Sequence, residues 1–169
     1  VDDYIQGPEI LIDSQFTIAL WYKTVDNDGI MFCTYHGTPD PDNGVEISTV
    51  DDSIVFGDFS NQTLSNGDQD FSDGNWKFLV CCIDNNLASI YLNNQLIDTA
   101  TINRDSITKD FKIGRRDDVA ERFFYGKIDD LRVYNRALTA SEIDSLYNLN
   151  DWNPVTDIDG NSYPTIQLG

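Results

Sequence analysis

Two acidic stretches hold the residue types best suited to chemistry. HGTPDPDNG places Asp40, Asp42 and Asn43 between two apolar runs, and GRRDDVAER gathers Arg115, Arg116, Asp117, Asp118, Glu121 and Arg122. Hard divalent cations take carboxylate and carbonyl oxygens, so Asp40, Asp42, Asn43 and Asp118 are the candidate calcium ligands. Solvated turns braced by local Asx-type hydrogen bonds account for the same residues, and both readings stay open. A third acidic turn, DNDG after Val25, reads as an ordinary connection.

Sugar binding needs an aromatic platform, whose face stacks on the C–H face of a pyranose, together with planar polar groups that take the hydroxyls. Tyr35, Phe59, Phe123, Phe124 and Tyr125 are the aromatics near the acidic loops. Tyr35, His36, Arg115, Asp117 and Phe124 form the expected ligand-binding set. Glycoside hydrolysis would need an acid and a nucleophile flanking the scissile bond. The nearest run is Glu142-Ile143-Asp144, which falls on an expected helix, where positions i and i+2 diverge. Asp129 and Asp130 are adjacent, so on a strand they face opposite ways. The single His36 and the scattered serines offer no triad. The chain therefore reads as a binding module and not as an enzyme.

The elements that must position these residues are mostly strands. Phe16, Ile18, Leu20 and Tyr22 alternate with Thr17, Ala19, Trp21 and Lys23, the period of a strand buried on one face and amphipathic or binding on the other. GIMFCTYHG follows as a strand, and GVEISTV and SIVFGDF pair through Asp51-Asp52. WKFLVCCID is apolar enough to be a central strand covered on both sides. ASIYLNNQLIDT turns at Asn93-Asn94, a pair that tolerates positive φ. FKIG and KIDDLRVYN complete the strands, while NQTLSNGDQDFSDG reads as loop. Thr139 and Glu142 form a T-x-x-E capping box at the start of one short helix, with Ile143, Leu146 and Tyr147 on its apolar face. Asp129, after Gly126 at a strand entrance, is expected to accept loop N–H groups. The pattern implies an all-β, antiparallel two-sheet sandwich with one short C-terminal α-helix.

The 169 residues suffice for one core-bearing domain, and 11 basic against 29 acidic side chains leave a net charge of −18. Such a chain repels nucleic acid and anionic membrane surfaces, and no apolar run is long enough to span a bilayer. Cys33, Cys81 and Cys82 make an odd number. Buried small hydrophobes are one reading of them, and a bridge from Cys33 to one of the adjacent pair is the other. The chain has no signal-peptide pattern. Its abrupt start at VDDYIQG and stop at TIQLG read as a segment of something longer.

In order and spacing, DYI, FTIALWYKT, DGNWKFLVCCID, IYLNNQLID, FKIG and FYGKIDDLRVYNRALTASEIDSLY resemble the laminin-G-like, concanavalin A-like lectin/glucanase jelly roll in its bacterial form. The match covers most of residues 1–149, with Asn93-Asn94 where relatives carry Asp-Gly. The tail, VTDIDGNSYPTIQLG, resembles the opening of a Fibrobacter-type major paralogous domain, so residues 150–169 read as linker and stub of a following module. The resemblance implies a secreted or cell-surface, monomeric, multidomain-borne module. Its expected partner is a polysaccharide or cell-surface glycan, with calcium assistance at one rim. A protein-interaction or spacer module of a surface adhesin is the alternative.

Overall fold

The computed structural model describes residues 3–34, 44–57, 62–65, 70–102, 105–116, 122–149, 155–156 and 162–163, with backbone alone for 62–65 and the last two pairs. The chain divides into two compact units, Val1–Leu138 and Thr139–Gly169. In chain order, the strands of the first unit are β1 (Ile5–Ile12), β2 (Gln15–Thr24), β3 (Asp28–Cys33), β4 (Glu46–Val50), β5 (Ser53–Gly57), β6 (Gln62–Ser65), β7 (Lys77–Asp84), β8 (Leu87–Leu92), β9 (Gln95–Thr101), β10 (Ile107–Ile113) and β11 (Gly126–Tyr134). They form a six-stranded sheet ordered β1-β10-β3-β4-β5-β6 and a five-stranded sheet ordered β11-β2-β7-β8-β9. Neighbours are antiparallel throughout. This is the jelly-roll sandwich that the strand pattern implies.

One face of each sheet supplies the core, as period-two patterning requires. Phe16, Ile18, Leu20 and Tyr22 of β2 join Leu79, Cys81 and Ile83 of β7 against Phe32, Ile47, Ile54 and Phe56 of the other sheet. The Phe16 and Phe56 rings meet edge to face at 6.3 Å, a preferred arrangement of ring quadrupoles.

The other face of β2 departs from expectation. Thr17, Ala19 and Trp21 are buried as well. Trp21 packs on Phe78 of the neighbouring strand at 5.2 Å. The segment after β11 returns over Thr17, whose hydroxyl donates to the Arg136 carbonyl at 2.9 Å and accepts from Leu138 N–H at 3.0 Å.

Two further strands lie outside the expected set. IQGPEILI forms β1 despite Gly7-Pro8, because it is an edge strand with a bulge between Gln6 and Glu9, where proline is tolerated. QTLS contributes β6, drawn into the sheet by its ladder with β5. Asn93-Asn94 and Asp51-Asp52 both adopt positive φ at both positions, the signature of two-residue hairpin turns.

All three cysteines are buried thiols. Cys81 faces the main core, Cys33 clusters with Ile30 instead, and Cys82 lies against the Thr17 hydroxyl at 3.4 Å. They sit on different sheet faces, so the bridge reading is corrected. Burial, then the neighbouring Cys82, pushes the Cys81 thiol up.

The second unit carries helix α1 (Ala140–Leu149) and a two-stranded ladder of β12 (Val155–Thr156) and β13 (Ser162–Tyr163). The capping box forms as expected. Thr139 N–H donates to Glu142 Oε2 at 2.8 Å, and Glu142 N–H donates to the Thr139 hydroxyl at 3.3 Å.

Candidate functional site

Four segments converge at one rim of the sandwich: the β2–β3 connection, the β4–β5 turn, the approach to β7 and the approach to β11. Between them lies an open cleft of about 690 Å³ lined by Val25, Asp26, Asn27, Asp52, Asp70, Ser72 and Tyr125. Its volume is in the range of ligand-binding clefts.

Each wall is held by bonds that the local sequence supplies. Thr24, at the end of β2, accepts Asp26 N–H at 2.9 Å and donates its hydroxyl to the Tyr125 carbonyl at 2.7 Å. Asp26 Oδ1 accepts Asp28 N–H at 3.0 Å, closing an Asx turn that starts β3. Asp52 occupies the left-handed region, which Asp tolerates better than most residues. Its Oδ1 accepts the Ser72 hydroxyl at 2.6 Å, and Ser72 N–H donates to Asp70 Oδ1 at 3.2 Å. Beneath this rim the buried Tyr22 hydroxyl donates to the Phe71 carbonyl at 3.1 Å. Burial first, then the charges of Asp73, Cys81 and Asp70, raises the Tyr22 phenol above its usual range, so it stays a neutral donor.

Tyr125 is the aromatic of the site. The residues leading to it are anchored one after another. Arg122 pairs with Asp28 at 2.7 Å. Phe123 bridges Arg115 across an isolated antiparallel pair. Phe124 N–H donates to the Gly114 carbonyl at 3.0 Å, and its ring meets Tyr22 edge-on at 6.3 Å. Gly29 permits this approach, since a Cβ there would stand 3.1 Å from Phe124 Cα. Tyr125 thus has a clamped backbone, while the residue remains 57% exposed beside Val25 at 81%. A fixed backbone under an exposed ring is a preorganised stacking surface, which costs little ordering entropy on binding.

A second charged cluster stands on the outer face of the six-stranded sheet. Register pairs Gln6, Lys112, Cys33, Glu46 and Gly57 in one row across five strands. Glu46 is buried at 3% exposure. Its carboxylate takes Arg116 Nη1 at 2.8 Å, the Ser48 hydroxyl at 2.8 Å and Arg122 Nη1 at 3.9 Å. This carboxylate is saturated by its neighbours and ties both ends of the 116–122 stretch to the sheet.

The expected site residues divide unevenly. Tyr35, His36, Asp40, Asp42, Asn43, Asp117 and Asp118 lie outside the described residues. Arg115 is described, with its guanidinium 4.8 Å from the Tyr4 ring centroid and 5.7 Å from that of Phe123. Phe124 packs against the core cluster. Asp129 accepts a single N–H, that of Asp130, at a bulge where Asp130 turns to positive φ and forks onto Arg132 through two 2.8 Å bonds. That fork, ahead of the opposing cost of burial, holds the Arg132 guanidinium above its usual range. Glu142 is committed to its cap, and Asp144 accepts from Asn148 at 3.0 Å. Among the described residues, no group of three or more His, Cys, Asp or Glu side chains is placed to hold a metal ion. Sequence reasoning passed over Asp26, Asn27, Asp52 and Asp70, since the acidic turns that contain them look like connections. Tyr125 was legible only as one aromatic among five.

The family model of the concanavalin A-like lectin/glucanases superfamily matches residues 1–144. The chain belongs to this superfamily. Among solved members of the fold, the lectin/glucanase-like chain is similar to domain 4 of AbnA, an extracellular GH43 arabinanase of Geobacillus stearothermophilus, solved with arabinotriose. The two share 22% identity over 85% of this chain and 72% of that one, with a TM-score of 0.63. A heptameric SAP-like pentraxin of Limulus polyphemus shares 17% identity over 88% of this chain and 75% of that one, with a TM-score of 0.64. At these identities the likeness is one of fold. Among curated proteins, the adhesion G-protein coupled receptor V1 of Danio rerio is 25% identical over 154 residues, which is 83% of this chain and 2% of that protein. The chain thus spans a small fraction of that relative. No helix among the described residues is long and apolar enough to cross a membrane.

Proposed function

We propose that this superfamily member is a non-catalytic, lectin-like carbohydrate-binding module of a secreted, multidomain bacterial protein, binding a polysaccharide or cell-surface glycan at the rim cleft. The observation that carries the reading is Tyr125, an exposed ring on a clamped backbone beside an open cleft lined with hydrogen-bonding groups. The arabinanase domain that shares the fold was solved with a bound arabinose oligosaccharide, which supports a glycan on this scaffold, although fold alone does not determine ligand. Calcium assistance is proposed for the two stretches that bear Asp40, Asp42 and Asn43 and, separately, Asp118. The extracellular setting, and residues 150–169 as the opening of a following module, belong to the same proposal.

A glycan array run with and without calcium tests it. The expected result is binding by the wild-type chain and its loss in Tyr125→Ala, with the fold retained by circular dichroism. A ligand that binds only the native state raises its melting temperature, so an unchanged melting temperature at millimolar calcium removes the metal from the proposal. The fish adhesion receptor relative favours a second reading, a protein-interaction module of an adhesive chain. Absence of binding to every glycan would select it.

A further inference from the structure

The chemistry of the cleft walls says which glycans it takes. Among the described residues, seven line the cleft; three of these are aspartates and none is Lys or Arg. Each aspartate spends Oδ1 within the rim: Asp26 on Asp28 N–H, Asp52 on the Ser72 hydroxyl and Asp70 on Ser72 N–H. A carboxylate has about four acceptor sites, so the second oxygen of each remains an acceptor. Ser72, one of the few donors in the lining, already gives its hydroxyl to Asp52. A ligand that satisfies this wall must therefore bring donors, and it must present an apolar face to Tyr125 and Val25. Sugar hydroxyls are donors. Carboxylate and sulfate groups are acceptors alone, and would set acceptor against acceptor as well as charge against charge.

Several cations of the neighbouring elements are already engaged. Arg122 is held by Asp28 and Glu46, Arg116 by Glu46, and Lys77 by Asp73 at 2.9 Å. The Arg115 guanidinium lies against the Tyr4 and Phe123 rings. The described lining carries negative charge alone, and the net charge of −18 adds the same sign, screened over about 8 Å at physiological salt. Like charges in juxtaposition are a common way of rejecting a wrong partner.

We infer that the rim cleft selects uncharged oligosaccharides and rejects uronate-, sialate- and sulfate-bearing ones. This rests on the glycan-binding reading and narrows its ligand class. Calorimetric titration of the whole chain with neutral arabino-, xylo- and gluco-oligosaccharides, against oligogalacturonates and sulfated oligosaccharides of equal length, tests it at about 50 and 300 mM NaCl. The expected result is a neutral ligand whose affinity is insensitive to salt, with anionic ligands at least about tenfold weaker and improving as salt rises. In the Asp52→Asn/Asp70→Asn double variant, anionic binding should strengthen at least about threefold. Anionic binding equal to or tighter than neutral binding would overturn the selectivity while leaving a glycan-binding module. No binding in either class would sink the module reading itself. Circular dichroism of the double variant separates lost structure from changed selectivity.

Discussion

The two acidic regions of this molecule use the same functional group in opposite ways. Glu46 is buried, and its carboxylate is satisfied by Arg116, Arg122 and Ser48. Asp52 is exposed, and Asp26 and Asp70 stand beside it at the cleft, each bonded within the rim. A buried charge must be compensated fully or it destabilises the fold, whereas an exposed one is solvated and can exchange water for ligand. The first carboxylate is therefore committed to architecture, and the other three remain usable for recognition.

Removing Glu46 breaks this contrast most sharply. Glu46→Ala leaves Arg116 buried without its carboxylate, and a loss of about 3–5 kcal/mol is expected in urea unfolding. A Glu46→Leu/Arg116→Met double variant should recover most of that loss, because an apolar pair of similar volume needs no compensation. Thr24→Val comes next. It strands Asp26 N–H and the Tyr125 carbonyl, groups that the Thr24 hydroxyl satisfies, at about 1–3 kcal/mol. It should also weaken glycan binding, because the backbone under Tyr125 loses its anchor. A change in stability with unchanged binding would show that Tyr125 is positioned by its neighbours alone.

Tyr125→Ala should leave stability within about 0.5 kcal/mol, as expected of an exposed side chain, while abolishing binding. A large stability loss would move Tyr125 from the recognition region to the structural one.

The smallest effect concerns pH. Asp73 is raised by burial, but the Asn75 N–H and the Lys77 ammonium overcome this and leave it below its ordinary value of 3.8. A carboxyl depressed in the folded state contributes stability that is present above the unfolded value and is lost as pH falls through the folded one. Melting temperatures recorded from pH 5 down to about 2 should fall, and the fall should be shallower in Asp73→Asn. An unchanged slope would assign the acid sensitivity elsewhere. Asp13, held low by Ser106 and by Ser14 N–H, is the next group to test.

Much of the fold was legible because its signals are local. Alternation along β2, the apolar run of β7, the positive-φ pair Asn93-Asn94 and the Thr139–Glu142 box each depend on residues close in sequence. What was missed depends on partners. β6 is polar and becomes a strand through the hydrogen bonds that β5 offers it. The second face of β2 is buried because Phe78, Arg136 and Leu138 come to it from elsewhere in the chain.

The sequence by itself determined the strand period, the hairpin turns, the capped helix and the net acidity. These follow from side-chain type acting over a few bonds or from charge summed over the chain. Only the tertiary structure decided which acids are spent and which remain for recognition. Glu46 is removed from water because two arginines seventy or more residues away fold over it. Asp26, Asp52, Asp70 and Tyr125 become one site because the β4–β5 turn and the connections into β3, β7 and β11 meet at one rim, and burial, pairing and convergence are properties of contacts between distant residues.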